Sequence, residues 1–244
     1  MHTTAQTLLS RVPFSLLALR PLAWLASALL FHGAAAQAQS IESVSVEGTP
    51  VKLVIPAGYC KLTRDAQPGQ AFYGSQDRMQ QGTNLVLLIY ADCNELEKVK
   101  SAKSGAGLPH YGMYLAPLAG GHATKLPLTM SRAQAIDEVA KSVPAMDMAA
   151  LQSQSNARAN TEGLKLDKMT TGLLGKDANA LYVGIAANAS AGAQSARFHA
   201  VTLITFIKGV GISGNLYSPV EPGAPFDKLW AAQKLQAAAL VKAN

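Results

Sequence analysis

The two cysteines of this chain, Cys60 and Cys93, are the residues whose chemistry the sequence constrains best. Each follows a short apolar run, 51–55 before the first and 85–90 before the second. If these runs form neighbouring strands, their ends lie close enough for a disulfide, which would stabilise the fold by about 3.8 kcal/mol on a chain-entropy argument. Two free buried thiols are the alternative, because a redox pair normally has C-x-x-C spacing and a metal site needs further ligands. An even cysteine count favours a structural disulfide formed in an oxidising compartment.

Three histidines outside the first 38 residues are the candidates for acid–base or metal chemistry, His110, His122 and His199. Imidazole titrates near neutral pH and is a common metal ligand, so a converging set could hold a metal ion. We favour the interpretation that the three histidines lie apart, each at the surface or packed in the fold, and do not share a metal ion. His122 follows two glycines, where a flexible backbone could serve a ligand.

The familiar catalytic signatures are missing from the sequence. It contains no G-x-S-x-G, S-x-x-K, H-E-x-x-H, P-loop or C-x-x-C-H. Asp65, Asp77 and Asp92 lie near the cysteines, but carboxylates do acid–base work only where they meet across a cleft. Asp92 is expected to cap the helix that follows it. We therefore predict no cofactor and no metal ion.

The segment 111–117 combines aromatic residues and a methionine with a following glycine-rich loop. If this segment is exposed, it forms an adaptable recognition surface. The residues of that surface would be Tyr111, Met113, Tyr114 and His122. If it is buried, the segment is a core strand, which is the interpretation we favour.

The first 38 residues have the composition of a secretory signal peptide. Arg11 and Arg20 precede the apolar run 21–31, and residues 36–38 match an A-x-A cleavage site. We expect cleavage after Ala38 or nearby, with an uncleaved anchor as the alternative. Residues 39–244 then form a single globular domain, and the protein is predicted to be periplasmic or secreted.

Composition limits the classes of partner. Hydrophobic residues make up 49% of the chain and charged residues 15%, the opposite of a disordered protein. Without the leader, 19 basic and 15 acidic residues leave a charge of +4, which suits peripheral contact with an anionic membrane or cell wall. A nucleic-acid-binding protein would carry a denser basic stripe. No later apolar stretch reaches the length of a membrane span.

Local patterns predict an α+β fold with one antiparallel sheet of about five to seven strands, covered by helices as an αβα sandwich. Alternation over 41–46 and the run 51–55 predict a hairpin. Capping patterns predict helices from Asn94 and after Ser131. The last third predicts three antiparallel strands and a closing helix, at 181–187, 198–207, 210–217 and 226–241. The polar stretch 153–163 is predicted to be a linker or mobile loop.

Both ends of this domain resemble PsbP-like domains. The hairpin leads into VKLVIPAG at 51–58, and ITFIKG at 204–209 is followed by a return strand, a proline connection and a helix opened by Phe226. The resemblance covers about 20 residues at the start and about 50 at the end. It implies an exported or lumenal αβα sandwich that acts as an accessory or binding protein, and no metal-binding position of the family is carried over.

These observations favour a non-catalytic accessory or binding module of the bacterial cell envelope, with an unidentified envelope protein or ligand as its partner. The alternative is an envelope hydrolase that uses His122 or His199 as its base. An enzyme would bring a histidine, an acid and a nucleophile together in one pocket.

Overall fold

A computed structural model describes residues 39–101, 107–143, 147–192, 194–220 and 226–244. The predicted signal peptide, residues 1–38, lies outside these ranges. Within them, no helix is both long and apolar enough to cross a membrane. The described residues form a mixed α+β fold with five helices and two antiparallel sheets.

Strands and helices alternate irregularly along the described part of the chain. The strands are β1 (Ser40–Val46), β2 (Thr49–Ile55), β3 (Tyr59–Lys61), β4 (Asn84–Asp92), β5 (Tyr111–Ala119), β6 (His122–Ala123), β7 (Lys165–Lys176), β8 (Leu181–Ala191), β9 (Gln194–Ile207) and β10 (Val210–Pro219). The helices are α1 (Gly69–Gln80), α2 (Cys93–Ser101), α3 (Arg132–Ser142), α4 (Met148–Asn160) and α5 (Phe226–Ala243).

The prediction of one sheet with five to seven strands is wrong in number, although the α+β class is confirmed. Strands β1 and β2 form a sheet of their own, and the larger sheet has eight strands in the order β3-β4-β5-β10-β9-β8-β7, with β6 paired to β5. Glu47 and Gly48 join the small hairpin with φ of 45° and 84°, as a two-residue type I′ turn requires. Strands β3 and β6 have three and two residues, too few to show a period of two.

The edge strand β7 was not predicted because its sequence does not alternate cleanly. Its register against β8 shifts between Asp167 and Thr170 and again between Leu173 and Gly175. Lys168, between the first pair, has a φ of 50°. Such bulges break the two-residue period and bend an edge strand.

Helix α4 occupies most of the segment predicted as a mobile loop, which corrects that assignment. The side chain of Asp147 accepts a hydrogen bond from the amide of Ala150 and caps the helix. Ala159 is buried, and Asn156 Oδ1 accepts from the amide of Leu166 in β7 at 2.9 Å. The polar sequence therefore reflects a helix with a wide solvent-exposed side.

The predicted helix starts are confirmed in one case and corrected in the other. Ser131 and Gln134 form the reciprocal capping box of α3. Helix α2 is capped by Asp92, whose Oδ1 accepts from the amides of Asn94 and Glu95 at 2.9 and 3.0 Å. Asn94 therefore lies inside the helix, and Asp92 has the capping role expected of it.

Helices lie on both faces of the larger sheet, as alternation along β5 shows. Tyr114 and Ala116 belong to an apolar cluster with the hairpin β1–β2 and helix α5. Met113 and Leu115 point to the opposite face, where they pack with residues of α1 and α2. The sheet therefore separates two cores.

A buried amide joins three parts of the first core. Gln236 Nε2 in α5 donates to the hydroxyl oxygens of Tyr90 and Tyr114, at 2.6 and 2.8 Å. The Tyr114 hydroxyl in turn donates to the carbonyl of Val54 in the hairpin at 2.8 Å. Gln233, one turn earlier in α5, donates to backbone carbonyls of β9 and β10. Helix, hairpin and sheet are thus held by hydrogen bonds as well as by apolar burial.

Gly112 makes room for this network. It is the cross-strand partner of Tyr90, whose ring lies where a Cβ on residue 112 would be. The ring crosses β5 at this point and brings its hydroxyl to Gln236. A glycine covered by a cross-strand aromatic ring is a known way to fix register in a sheet.

We expect Gly112→Ala to lower the free energy of unfolding by about 1–3 kcal/mol, because the methyl group overlaps the Tyr90 ring. Urea unfolding followed by circular dichroism measures the change. Gly172→Ala in β7 is the matched control, since no atom lies within 4 Å of its added Cβ. Equal stability of the two variants would contradict the role given to Gly112.

The predicted disulfide between Cys60 and Cys93 is confirmed. It does not join the ends of two long neighbouring strands, as the sequence suggested, because β2 belongs to the other sheet. The short strand β3 instead pairs with the end of β4, and Cys60 lies opposite Ala91, two residues before Cys93. The bridge therefore fastens β3 to the start of α2.

We expect reduction of this disulfide to lower the free energy of unfolding by about 3–4 kcal/mol, because it releases a closed loop in the unfolded chain. Urea unfolding with and without dithiothreitol measures the difference. The double variant Cys60→Ser, Cys93→Ser should match the reduced protein and should not respond to dithiothreitol. An unchanged midpoint on reduction would show that the bridge adds no stability.

Candidate functional site

A partly enclosed cavity in the described part of the chain lies between helices α1 and α4 and the face of strands β7–β10. Its volume is about 440 Å³, within the range of roughly 300–1,000 Å³ usual for small-molecule sites. Most of its lining is apolar. The lining residues are Gln76, Met79, Gln80, Pro109, Tyr111, Ser155, Arg158, Ala159, Leu164, Leu166, Met169, Ile185, Ala189, Ala196, Arg197, Phe198, Tyr217 and Pro219.

Stacked aromatic rings form part of the cavity wall. Tyr111 and Tyr217 are cross-strand partners on β5 and β10, and their ring centroids lie 4.4 Å apart at 11°. Phe198 on β9 packs against Tyr217 at 6.0 Å, and Phe72 of α1 packs edge-on against Tyr111 at 4.9 Å. Aromatic side chains on three adjacent strands thus give the cavity a broad and rigid apolar surface.

An ion pair links α1 to the turn that follows α4. Arg78 Nε and Nη2 donate to the two carboxylate oxygens of Glu162 at 2.6 and 2.7 Å. These hydrogen bonds lower the pKa of Glu162 and raise the pKa of Arg78. Because such a bidentate pair has a defined geometry, it fixes the spacing of the two helices that wall the cavity.

The polar side chains of the lining differ in how much of their hydrogen-bonding capacity is used. Gln76 is only 7% exposed, and its amide makes no hydrogen bond to any residue the structure describes. Arg158 Nη1 donates to Thr83 Oγ1 at 3.0 Å, and the guanidinium has no carboxylate partner among the described residues. By contrast, Gln80 Oε1 accepts from Asn84 Nδ2 at 2.7 Å. Gln76 and Arg158 can therefore bind a polar atom of a ligand, as can Ser155, Arg197 and the phenols of Tyr111 and Tyr217.

Groups that could exchange protons near neutral pH are missing from the described lining. It contains no histidine, cysteine, aspartate or glutamate. Burial raises the pKa of Tyr217 to about 12 and raises the pKa of Tyr111 well above its ordinary value. Both phenols therefore stay neutral at physiological pH and act only as hydrogen-bonding groups. The side chains that the structure describes in this lining therefore offer apolar surface and hydrogen-bonding groups.

Each of the three candidate histidines has its own surroundings. His110 Nδ1 lies 2.5 Å from Glu95 Oε1. His122 Nδ1 lies 3.4 Å from Glu47 Oε1, and its side chain is 84% exposed. Within the described ranges no group of three or more histidine, cysteine, aspartate or glutamate residues could hold a metal ion.

His199 lies beside the first residue of α5, away from the cavity lining. Its ring packs edge-on against Phe226 with centroids 5.0 Å apart. Burial and, to a smaller extent, the charge of Arg197 lower the pKa of His199. The ring is therefore mainly neutral at pH 7 and packs as an aromatic group.

The four residues considered as a recognition surface do not share one surface. Met113 and Tyr114 are 1% and 0% exposed and belong to the two cores, as the buried interpretation expected. Tyr111 lines the cavity, while His122 is the exposed first residue of β6. Sequence reasoning did not find Gln76 or Arg158, because neither belongs to a motif and Arg158 falls in the segment interpreted as a loop.

Comparison with known proteins adds no family assignment. A scan of the chain against protein-family models gives no match, and a search of curated proteins gives no significant similarity. The function must therefore be inferred from the geometry of the described residues.

We expect none of the seven tyrosines to ionise near pH 10 in the folded protein, since burial raises the pKa of every one of them. The unfolded chain ionises at about pH 10, so the stability that these phenols contribute is complete below that pH and is lost as the pH rises toward 12. Tyrosinate absorbance and circular dichroism, recorded together, should change in one transition well above pH 10. The same titration in concentrated urea should centre near pH 10. Ionisation near pH 10 without unfolding would contradict the burial of these side chains.

Proposed function

We propose that this protein is a non-catalytic binding module of the cell envelope that holds a small, largely apolar molecule in the cavity between α1, α4 and the sheet. The observation that carries the proposal is the cavity itself, which is large, apolar and lined by a fixed aromatic stack. A site of this kind binds by removing apolar ligand surface from water, with a few polar groups that orient the ligand.

A location outside the cytoplasm fits the same proposal. The disulfide between Cys60 and Cys93 is of the kind that persists in oxidising compartments. The leader at residues 1–38 is the sequence feature that would direct the chain there. We further propose that the domain is a PsbP-like sandwich, an idea supported by an antiparallel sheet with helices on both faces.

The alternative, an envelope hydrolase, has no observation in its favour. Its candidate bases, His122 and His199, both lie outside the cavity lining. His122 pairs with Glu47 and His199 packs against Phe226, and neither partner can act as the nucleophile's hydroxyl or thiol. A hydrolytic site would need a histidine, an acid and a nucleophile within hydrogen-bonding reach.

We expect the purified protein to bind one equivalent of the neutral, environment-sensitive dye N-phenyl-1-naphthylamine. Ala189→Trp places an indole in the cavity from β8, and it should weaken binding more than about tenfold, because overfilling a packed site costs about 1–3 kcal/mol. Dye fluorescence measures the affinity, and circular dichroism checks the fold of each variant.

Ala238→Trp is the matched control, because Ala238 is exposed on α5, on the opposite side of the sheet. It should bind the dye like the unchanged protein. If Ala189→Trp fails to fold, Ser155→Phe narrows the cavity from α4 instead. Undiminished dye binding in folded cavity variants would overturn the proposed function.

A further inference from the structure

We infer that the ligand of this cavity is a single-chain amphipathic anion, whose charged head binds Arg158 and Gln76 and whose chain lies along the aromatic stack. This inference rests on the proposed function and specifies the class of ligand. It is carried by two groups that line an apolar cavity: the Arg158 guanidinium, which has no carboxylate partner among the described residues, and the amide of Gln76.

The charged side chains in the described lining of the cavity are all positive. Arg158 and Arg197 both line it, and no aspartate or glutamate does so within the described lining. The acidic group nearest along the chain to Arg158, Glu162, is already engaged by both oxygens with Arg78. An anionic group on the ligand would therefore meet uncompensated positive charge.

Arg158 is suited to an oxyanion. It uses one of its five N–H groups on the Thr83 hydroxyl, which fixes the side chain and leaves the other donors free for a ligand. A guanidinium presents two parallel N–H groups to a carboxylate or phosphate, which gives short, charge-assisted hydrogen bonds. A neutral head group could accept only the weaker, uncharged kind of bond.

Gln76 is the second, independent indication of a ligand. The residue is only 7% exposed, yet the amide has no hydrogen-bond partner among the described residues. The enclosed polar atoms that lack a partner in the described part of the chain are Trp230 Nε1, Gln233 Oε1 and Gln236 Oε1 in α5. The Gln76 amide is not one of them, so it is open to the cavity that it lines and can bond to an occupant. An anionic head with several acceptor oxygens can accept from the Gln76 amide and from Arg158 together.

Hydrogen bonds place Gln76 and Arg158 on the same wall. Thr83 Oγ1, which accepts from Arg158, donates to the backbone carbonyl of Gln80 at 3.0 Å. Gln76 lies four residues before Gln80, and residues at this spacing are neighbours on one face of a helix, about 6 Å apart. The two side chains therefore belong to the same wall of the cavity, and we assign them to one head group.

The rest of the lining suits a flexible hydrocarbon chain. Methionine and aliphatic side chains surround the aromatic stack, and they adapt to an unbranched chain. These residues are Met79, Leu164, Leu166, Met169 and Ile185. A sugar or peptide of similar volume would leave many of its polar groups unpaired against this surface.

The test compares anionic and neutral ligands with the same chain. Dodecanoate, monododecyl phosphate and 1-dodecanol are each titrated, below the concentrations at which they form micelles, against the protein loaded with N-phenyl-1-naphthylamine. At least one of the two anions should displace the dye at a concentration about tenfold or more below that of 1-dodecanol, since hydrogen bonds to charged groups are the stronger ones. The comparison of the two anions shows whether the site selects a carboxylate or a phosphate.

Variants assign that preference to named residues. Arg158→Gln should weaken binding of the preferred anion by about tenfold to a hundredfold and leave 1-dodecanol within about twofold. Arg158→Lys keeps the charge but not the planar fork, and should retain part of the preference. Gln76→Leu should weaken binding of the preferred anion by about twofold to tenfold. Arg132→Gln on α3, outside the lining, is the control and should bind like the unchanged protein.

The outcomes separate this inference from the proposed function. If the dye binds but 1-dodecanol competes as well as both anions, or if Arg158→Gln weakens all three equally, the ligand class is wrong and the binding module stands. If neither the dye nor any of the three ligands binds, the proposed function itself fails. If the dye binds and an anion is preferred through Arg158, both are supported.

Discussion

The buried amide of Gln236 is the constraint on which the arrangement of the domain depends. It is the point where α5, the hairpin β1–β2 and the neighbouring strands β4 and β5 meet through hydrogen bonds. Apolar contacts alone permit a helix to slide or rotate on a sheet, whereas directed hydrogen bonds to Tyr90 and Tyr114 select one position. The network works only because Gly112 lets the Tyr90 ring cross the neighbouring strand. One glycine and one glutamine therefore determine how the first face is closed.

The two faces of the larger sheet are covered differently. The 18-residue helix α5 and the hairpin bury the first face under one continuous core. On the second face, α1 and α2 pack over β4 and β5, while α4 lies further along, against β7. Ala159 is the one fully buried residue among those of α4 whose side chains the structure describes. The space between α1 and α4 is not filled by side chains, and this is where the cavity forms.

Sequence patterns predicted the parts of the fold that follow from local rules. The first hairpin, the capping box at Ser131, the closing helix and the bridge between Cys60 and Cys93 each carry a local signal of alternation, capping or residue count. The sequence could not reveal strand β7, whose bulges disturb the alternation, or the full length of α4, whose polar residues resemble a linker. Both elements line the cavity, so the sequence left the candidate site undetected. The inward side of α5 was predicted from apolar residues alone, and for that reason Gln233 and Gln236 were overlooked.

The distribution of polar groups on the two faces argues for a binding role. Gln236 and Gln233 are buried on the first face, and their amide nitrogens donate to phenol oxygens and to backbone carbonyls. Gln76 is buried on the second face without such a partner, and Arg158 lies beside the same cavity without a carboxylate. The enclosed polar atoms without a partner in the described part of the chain belong to α5, namely Trp230 Nε1, Gln233 Oε1 and Gln236 Oε1, whereas the Gln76 amide is open to the cavity. Polar groups that face a cavity in place of apolar ones are expected where a site has to bind something. An oxyanion that accepts from Gln76 and Arg158 would replace their hydrogen bonds to water with charge-assisted ones, and this exchange would contribute to the affinity for the ligand.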